Sequence, residues 1–328
     1  MRRWIGLLLA SVALSPAARA HDSIKFGYIN KMGDHPWFVA EVAGAKAKAQ
    51  ELGAVLMVQD VQFDANLTVT AMDTMIGDGV KGIAIVVPDR ALGPVVADKA
   101  KAAGIPLIAV DDDIVDSAGN PVPYVPYVGI DALSIGRQVG QNNAAQAKAR
   151  GWHEDWSKVR LGSIEDQKAD TCMRRNRGAE EAFLEAFPDF PKENIVRIPY
   201  DNTMVNAIDV VGTTLTANPG VERWVFYSCN DDGVLGAVRA TENAGMSPDA
   251  VIGTGVDGSC GCEAFGSGKP TGFSGTLWFD PASHGATAIG FLHDAVVSGK
   301  ALPMVTYMPA KLVTAETFAE FKDRLGCQ

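Results

Sequence analysis

Short apolar runs alternate with helix-forming segments along most of this 328-residue chain, and this pattern limits the possible folds most. The runs contain few polar residues, which is typical of strands that helices cover on both faces of a parallel sheet. Five such runs lie in the first part of the chain, at 24–29, 54–59, 82–87, 105–110 and 124–128. Five more follow, at 159–164, 194–199, 223–226, 251–256 and 272–277. The sequence therefore predicts two open, doubly wound α/β units.

The segments between the runs carry helix signals. Pro36 suits the first turn of a helix, and apolar residues then recur at helical spacing as far as Leu52. Gly53 suits the position just past the end of that helix. Asn66 is a candidate N-cap for the next helix, and 140–156 has the composition of a helix with a polar outer face.

The first twenty residues predict export. Arg2 and Arg3 precede a short apolar run, and Ala-Arg-Ala at 18–20 supplies the small residues at which signal peptidase cuts. The apolar run is too short to remain as a membrane anchor. We expect a signal peptide at 1–20, a mature chain that starts near His21, and a periplasmic location.

Composition and motifs exclude several classes of protein. The formal net charge is −10, without a basic stripe, which argues against nucleic acid or an anionic membrane as the partner. The sequence has no Gly-x-Ser-x-Gly, His-Glu-x-x-His or P-loop motif, and no Gly-x-Gly-x-x-Gly after the first strand. We therefore expect neither an enzyme nor a cofactor.

The five cysteines are an odd number, and export would permit disulfides. Cys260 and Cys262 are too close in sequence to bridge easily, but one of them could pair with Cys327. A zinc site is not indicated, because a second cysteine pair at the required spacing is missing.

Polar and aromatic residues follow several strands, at the edge where doubly wound sheets bind ligands. Lys31 and Trp37 follow the first strand, and Asp111 and Asp112 follow the fourth. A tryptophan ring suits the C–H face of a pyranose, and a carboxylate accepts from neighbouring sugar hydroxyls. The alternatives are a tryptophan that packs on its own helix and a solvated aspartate turn. A glycosidase acid pair needs carboxylates at a defined separation, for which adjacency in sequence is no evidence.

The second unit has similar residues at its strand ends. Arg175 lies near the start of the helix after the strand at 159–164, where a guanidinium could donate to a ring oxygen and a hydroxyl together. A solvated helix face is the alternative for this arginine and its neighbours. Asn230 and Asp257 follow two further strands.

Several of these motifs, in this order, resemble those of the periplasmic sugar-binding proteins, and most closely the arabinose-binding branch. The resemblance is carried by Lys31, Pro36-Trp37-Phe38, Ile108-Ala109-Val110-Asp111-Asp112, Val234-Leu235-Gly236, Val238-Arg239-Ala240-Thr241-Glu242, Gly272-Phe273 and Gly275. It implies a type I fold, with two lobes that a three-segment hinge joins and that close on a sugar. It places the N-terminal lobe at 21–130 plus 279–307, the C-terminal lobe at 131–278 plus 308–328, and the crossovers near 130–132, 277–280 and 307–310.

The same resemblance implies a binding site. The positions that keep the residue type of the family are Lys31, Trp37, Asp111, Asp112, Thr171, Arg175 and Asn230. The positions that differ from the family are His35, Ile130, Ala169, Cys229 and Asp257. His35 stands in place of a glutamate and Asp257 in place of an asparagine, so the preference among epimeric sugars is expected to differ.

The expected function is capture of a monosaccharide and its delivery to the membrane permease of an ABC transporter. The ligand would be L-arabinose or a related aldose such as D-galactose or D-fucose, and the protein would be a monomer. The alternatives keep the fold as a sugar sensor for a chemoreceptor or sensor kinase, or bind a different pentose or hexose. A repressor with this core would need an N-terminal helix-turn-helix, whereas only the export signal precedes the first strand.

Overall fold

A computed structural model describes residues 23–327 of the chain. The predicted signal peptide at 1–20 lies outside these residues. Within the described range, no helix combines the length and the apolar character that crossing a membrane requires.

Strands and helices alternate along the described chain, as the apolar pattern predicts. The strands within 23–327 are β1 (Lys25–Asn30), β2 (Val55–Asp60), β3 (Ile83–Ile85), β4 (Leu107–Val110), β5 (Tyr127–Gly129), β6 (Val159–Glu165), β7 (Ile195–Pro199), β8 (Arg223–Ser228), β9 (Val251–Asp257), β10 (Phe273–Trp278), β11 (Val305–Tyr307) and β12 (Lys311–Val313). The α-helices in the same range are α1 (Pro36–Glu51), α2 (Ala65–Gly77), α3 (Gly93–Ala103), α4 (Ala132–Ala149), α5 (Asp170–Ala186), α6 (Met204–Ala217), α7 (Asp231–Asn243), α8 (Gly261–Phe265), α9 (Pro281–Ser298) and α10 (Phe318–Phe321).

The strands form two six-stranded sheets. The first has the order β11-β5-β4-β3-β1-β2, and all its neighbouring strands are parallel. The second has the order β12-β10-β9-β8-β6-β7, in which only β12 is antiparallel to its neighbour. Every residue of β4 and β9 is buried, since helices cover both faces of each sheet. The predicted fold of two doubly wound α/β lobes is confirmed.

The sequence predicted five strands in each sheet and missed β11 and β12. Each of these edge strands has three residues, and most of those residues are exposed or half-buried. They therefore lack the continuous apolar run that marks the inner strands.

The chain passes between the sheets three times. It leaves the first sheet after β5, returns to it after β10, and crosses again between β11 and β12. The crossovers predicted near 130–132, 277–280 and 307–310 coincide with these places. Three separate connections therefore join the two halves of the molecule.

Two helix boundaries differ from the prediction. The helix expected at 140–156 is α4, which begins after Asp131, whose Oδ1 accepts from the backbone N–H of Ser134 at 3.1 Å. Gly140 lies inside it, where a Cβ atom would be only 2.1 Å from the carbonyl oxygen of Ala179 on α5. The N-cap of α2 is Asp64 and not Asn66, because Oδ1 of Asp64 accepts from the N–H of Leu67 at 2.8 Å.

Candidate functional site

A cavity lies where the carboxyl ends of strands from the two sheets face each other. It is partly open to solvent, and side chains from both lobes line it. The lining combines aromatic rings, charged groups and amides, and consists of Lys31, Met32, His35, Trp37, Phe38, Phe63, Asp111, Asp112, Ala169, Cys172, Arg175, Asn202, Cys229, Asn230, Asp257 and Phe279.

The first lobe contributes a buried ion pair to this cavity. Lys31 follows β1 and Asp112 follows β4, and the Nζ of Lys31 donates to Oδ2 of Asp112. Burial disfavours the ammonium, but the carboxylates of Asp112 and Asp111 outweigh it and raise the pKa of Lys31. Lys31 is therefore a protonated donor at neutral pH.

Two aspartates of the cavity adopt an uncommon backbone conformation. Asp111, directly after β4, has a φ of 59°, and Asp257, at the end of β9, has a φ of 103°. Non-glycine residues rarely have positive φ, and the strain concentrates at functional sites. Both residues therefore form sharp turns at the point where a strand reaches the cavity.

The start of α1 fixes the aromatic part of the cavity. His35 is the N-cap of this helix, since its Nδ1 accepts from the backbone N–H of Trp37 at 3.2 Å. Trp37 is 5% exposed and packs edge-on against Phe279, with ring centroids 4.5 Å apart. Its indole Nε1 has no hydrogen-bond partner among the described residues. Buried indole N–H groups usually have a partner, so this unpaired donor is unusual.

Arg175 of α5 is the main donor of the second lobe. Its Nη1 donates to the carbonyl oxygen of Cys229 at 2.6 Å, and its Nη2 lies 3.7 Å from Oδ1 of Asp111 across the cleft. Its Nε has no partner among the described residues, although the side chain is only 9% exposed. The arginine is thus held in place and still has an unused donor.

Asn230 and Asp257 complete the polar wall of the second lobe. Oδ1 of Asn230 caps α7 by accepting from the N–H of Gly233 at 3.1 Å, and it also accepts from the hydroxyl of Tyr200 at 2.6 Å. Burial is the main cause that raises the pKa of Asp257 to about 6.

A disulfide joins two segments of the cavity wall. Cys172, in the first turn of α5, is bonded to Cys229, which directly follows β8. A second disulfide joins Cys262 of α8 to Cys327, as one of the sequence alternatives proposed, and Cys260 is buried and unpaired.

Comparison with known proteins places this arrangement in a family. Residues 26–301 match a family model described as the periplasmic binding protein domain. The "ABC transporter L-arabinose-binding periplasmic protein" of Azospirillum brasilense is 34% identical over 332 residues, covering 99% of this chain and 98% of its own length. This chain belongs to the periplasmic binding protein family. The resemblance found in the sequence is confirmed, and the molecule is a binding protein and not an enzyme.

Another relative and two solved structures are similar to this periplasmic binding protein over nearly its whole length. The "L-arabinose-binding periplasmic protein" of Escherichia coli K12 is 32% identical over 320 residues, covering 97% of this chain and 95% of its own. The Caulobacter myo-inositol binding protein, solved with myo-inositol, has the same fold, with a TM-score of 0.77, 22% identity and coverage of 95% and 99%. A solute binding protein from Actinobacillus succinogenes 130z, solved with D-allose, has a TM-score of 0.73 at 25% identity, with coverage of 91% and 100%.

Most of the residues predicted for the site of this periplasmic binding protein surround the cavity. Ile130 and Thr171 do not line it. Ile130 is buried in the first crossover, where its N–H donates to the hydroxyl of Tyr127 at 3.1 Å. Thr171 is buried on α5, and its Oγ1 lies 3.4 Å from the carbonyl oxygen of Asp111.

Sequence reasoning missed several residues that line the cavity of this periplasmic binding protein. Phe63, Asn202 and Phe279 follow β2, β7 and β10, so the rule that found the other strand-end residues could have found these. Cys172 is different. Only the pairing of β6 with β8 brings it next to Cys229, and that pairing is a property of the folded sheet.

Proposed function

We propose that this chain captures a monosaccharide in the periplasm, L-arabinose or a related aldose such as D-galactose or D-fucose. The cavity between the lobes carries this proposal, since it places aromatic rings beside several charged hydrogen-bonding groups. Sugar recognition needs this combination, because a pyranose has apolar C–H faces and a ring of hydroxyls.

The charges in the cavity favour a neutral ligand. Lys31 is paired with Asp112, and Arg175 lies beside Asp111, so both cations already have carboxylate neighbours. Asp257 adds a further carboxyl group. An anionic ligand would meet more negative than positive groups, whereas each hydroxyl of a sugar can donate to a carboxylate and accept from a cation.

Two relatives named for L-arabinose support an aldose as the ligand. The sugar that binds most tightly depends on the groups that face each hydroxyl, because a buried polar group left unpaired costs about 1–3 kcal/mol. His35 and Asp257 line the cavity and are the positions at which we expect the preference to be set.

A fluorescence titration tests this function, because Trp37 lies in the cavity wall. The mature protein would be titrated with L-arabinose, D-galactose, D-fucose, D-xylose and D-glucose, with myo-inositol as a non-aldose comparison. We expect at least one aldose to give a saturable change and to bind more tightly than myo-inositol. The absence of a saturable response to every aldose would contradict the proposal.

The captured sugar would be delivered to the membrane permease of an ABC transporter, with the protein acting as a monomer. The proposed lobes are 21–130 plus 279–307 and 131–278 plus 308–328, which agrees with β11 lying in the first sheet and β12 in the second. Closure of these lobes on the sugar would exclude water from the charged groups and strengthen their hydrogen bonds.

A further inference from the structure

At the edge of the cavity, one side-chain contact between the lobes involves Asp232, which was not among the predicted site residues. Nε2 of His35 lies 3.1 Å from Oδ2 of Asp232, in the first turn of α7. The side chains are 6% and 16% exposed. The cleft is also crossed by a backbone hydrogen bond from Arg90 to Lys168 at 3.1 Å and by the hydroxyl of Thr171, 3.4 Å from the carbonyl oxygen of Asp111. Two arginine–carboxylate contacts between side chains, Arg175–Asp111 and Arg174–Asp113, are both at 3.7 Å. The histidine contact is therefore a hydrogen bond, and the arginine contacts are longer-range ion pairs.

The orientation of the His35 ring determines which partner donates. Nδ1 accepts from the backbone N–H of Trp37, so the proton of the neutral ring lies on Nε2. Nε2 therefore donates across the cleft, and Asp232 accepts. Because the same ring caps α1, the donor is attached rigidly to the helix that carries Trp37.

The acceptor, Asp232, is held in place by a contact within its own lobe. Oδ1 of Asp232 lies 3.3 Å from Sγ of Cys260, the buried unpaired cysteine. Burial and neighbouring carboxylates raise the pKa of the Cys260 thiol, so it keeps its proton and can donate. One carboxylate oxygen is thus oriented from within the second lobe, and the other is free to receive the first lobe.

We propose that Asp232 is a positioning residue for ligand capture, whose carboxylate accepts from His35 only in the closed form and so slows the release of the sugar. This inference rests on the proposed function, since it concerns closure around the same cavity. Asp232 does not line that cavity, so its effect would act through the lobes and not through contact with the sugar. Loss of the bond should change dissociation and leave association nearly unaltered.

Stopped-flow fluorescence with the tightest-binding aldose of the panel measures both rates. We expect Asp232→Ser to raise the dissociation rate about tenfold, as for one hydrogen bond to a charged group, and to change association less than about twofold. His35→Asn should raise the dissociation rate at least as much, because it removes the same bond and also a group that lines the cavity, although asparagine can still cap α1. Asp232→Asn keeps an acceptor oxygen for Nε2, so its dissociation should rise no more than about threefold. Asp209→Asn, which removes an exposed carboxylate from α6, is the matched control.

The double variant His35→Asn with Asp232→Ser separates a shared bond from two independent effects. If the residues act through one bond, Asp232→Ser should not raise the release rate further when His35 is already asparagine. Independent contributions would make the double variant release sugar about tenfold faster than His35→Asn alone. That result, or single variants that release sugar at the wild-type rate, would overturn the proposal.

Failure of the sugar assignment itself would look different, because wild type would then respond to no aldose, and the inference about release of that ligand would be overturned with it. Failure of the role of Asp232 alone would leave the wild-type response intact, with Asp232→Ser and Asp209→Asn both releasing the sugar at the wild-type rate.

Discussion

The two disulfides differ in their relation to the cavity, and removing each in turn separates stability from binding. Cys172 and Cys229 are 57 residues apart, and Cys262 and Cys327 are 65 apart. Each bond restricts the unfolded chain by closing a loop, and loops of these lengths correspond to about 4 kcal/mol of stability. The two bonds should therefore stabilise the protein almost equally. Only the first is part of the cavity wall.

The perturbation is serine at both positions of one pair, compared with serine at both positions of the other. We expect each variant to lose about 4 kcal/mol of unfolding free energy in urea. Only the variant without Cys172–Cys229 should also bind the sugar more weakly. The carbonyl of Cys229 accepts from Arg175 at 2.6 Å, and Cys172 lies on the same helix as that arginine. Loosening one charged hydrogen bond of this kind costs about 1.5–3 kcal/mol, which is roughly a ten- to hundredfold loss of affinity.

Isothermal titration calorimetry under conditions where both variants are folded measures the affinity, and peptide mapping without reduction verifies each pairing. Two results would refute the reasoning. One is an equal loss of affinity in both variants, which would make the effect one of general stability. The other is unchanged affinity without Cys172–Cys229, which would mean that the bond does not position Arg175.

Three further substitutions test the site and the packing that supports it. Trp37→Leu removes the flat ring from the cavity wall, and calorimetry should show a loss of sugar affinity of about tenfold; unchanged affinity would exclude stacking. In Gly136→Ala, the new Cβ would lie 1.9 Å from the carbonyl oxygen of Arg175, so α5 must shift. Urea unfolding should show a loss of about 1–3 kcal/mol, whereas Gly212→Ala, with no atom within 4 Å of its Cβ, should not be destabilised. For Asp257, a folded-state pKa of about 6, above the ordinary 3.8, makes the ionised form costly above pH 6. Asp257→Asn should therefore exceed wild type in stability by up to about 3 kcal/mol at pH 8, and the difference should vanish as the pH falls through 6 to 4. Equal stability at pH 8 would contradict that shift.

The sequence predicted the inner strands because strands that are buried on both faces consist mainly of apolar residues. All four residues of β4 are buried and apolar, and all seven of β9 are buried, with Thr254 and Asp257 as its polar residues. The edge strands β11 and β12 carry no such run. Each has a neighbouring strand on one side only, and most of their residues are at least partly exposed to solvent. Helix ends were less certain where several residues could serve as the cap. Asp64 and Asn66 both suit an N-cap, and only the backbone geometry shows that Asp64 is used.

The cavity was predictable to the extent that it follows from strand ends and from resemblance to the family. The contact between His35 and Asp232 joins residues 197 positions apart and exists only when the lobes face each other closely. No local pattern contains that information. The family resemblance assigns no role to Asp232, because it concerns only positions that contact a sugar in the family.

The last two strands have a consequence for how the chain reaches its native state. β11 adds the edge strand to the first sheet and β12 adds the edge strand to the second, with residues 308–310 between them. The first sheet therefore cannot be completed until every residue of the second sheet's inner strands has been made. No single cut divides the chain into two fragments that each contain a whole sheet. Neither lobe is therefore built from one continuous segment of the chain.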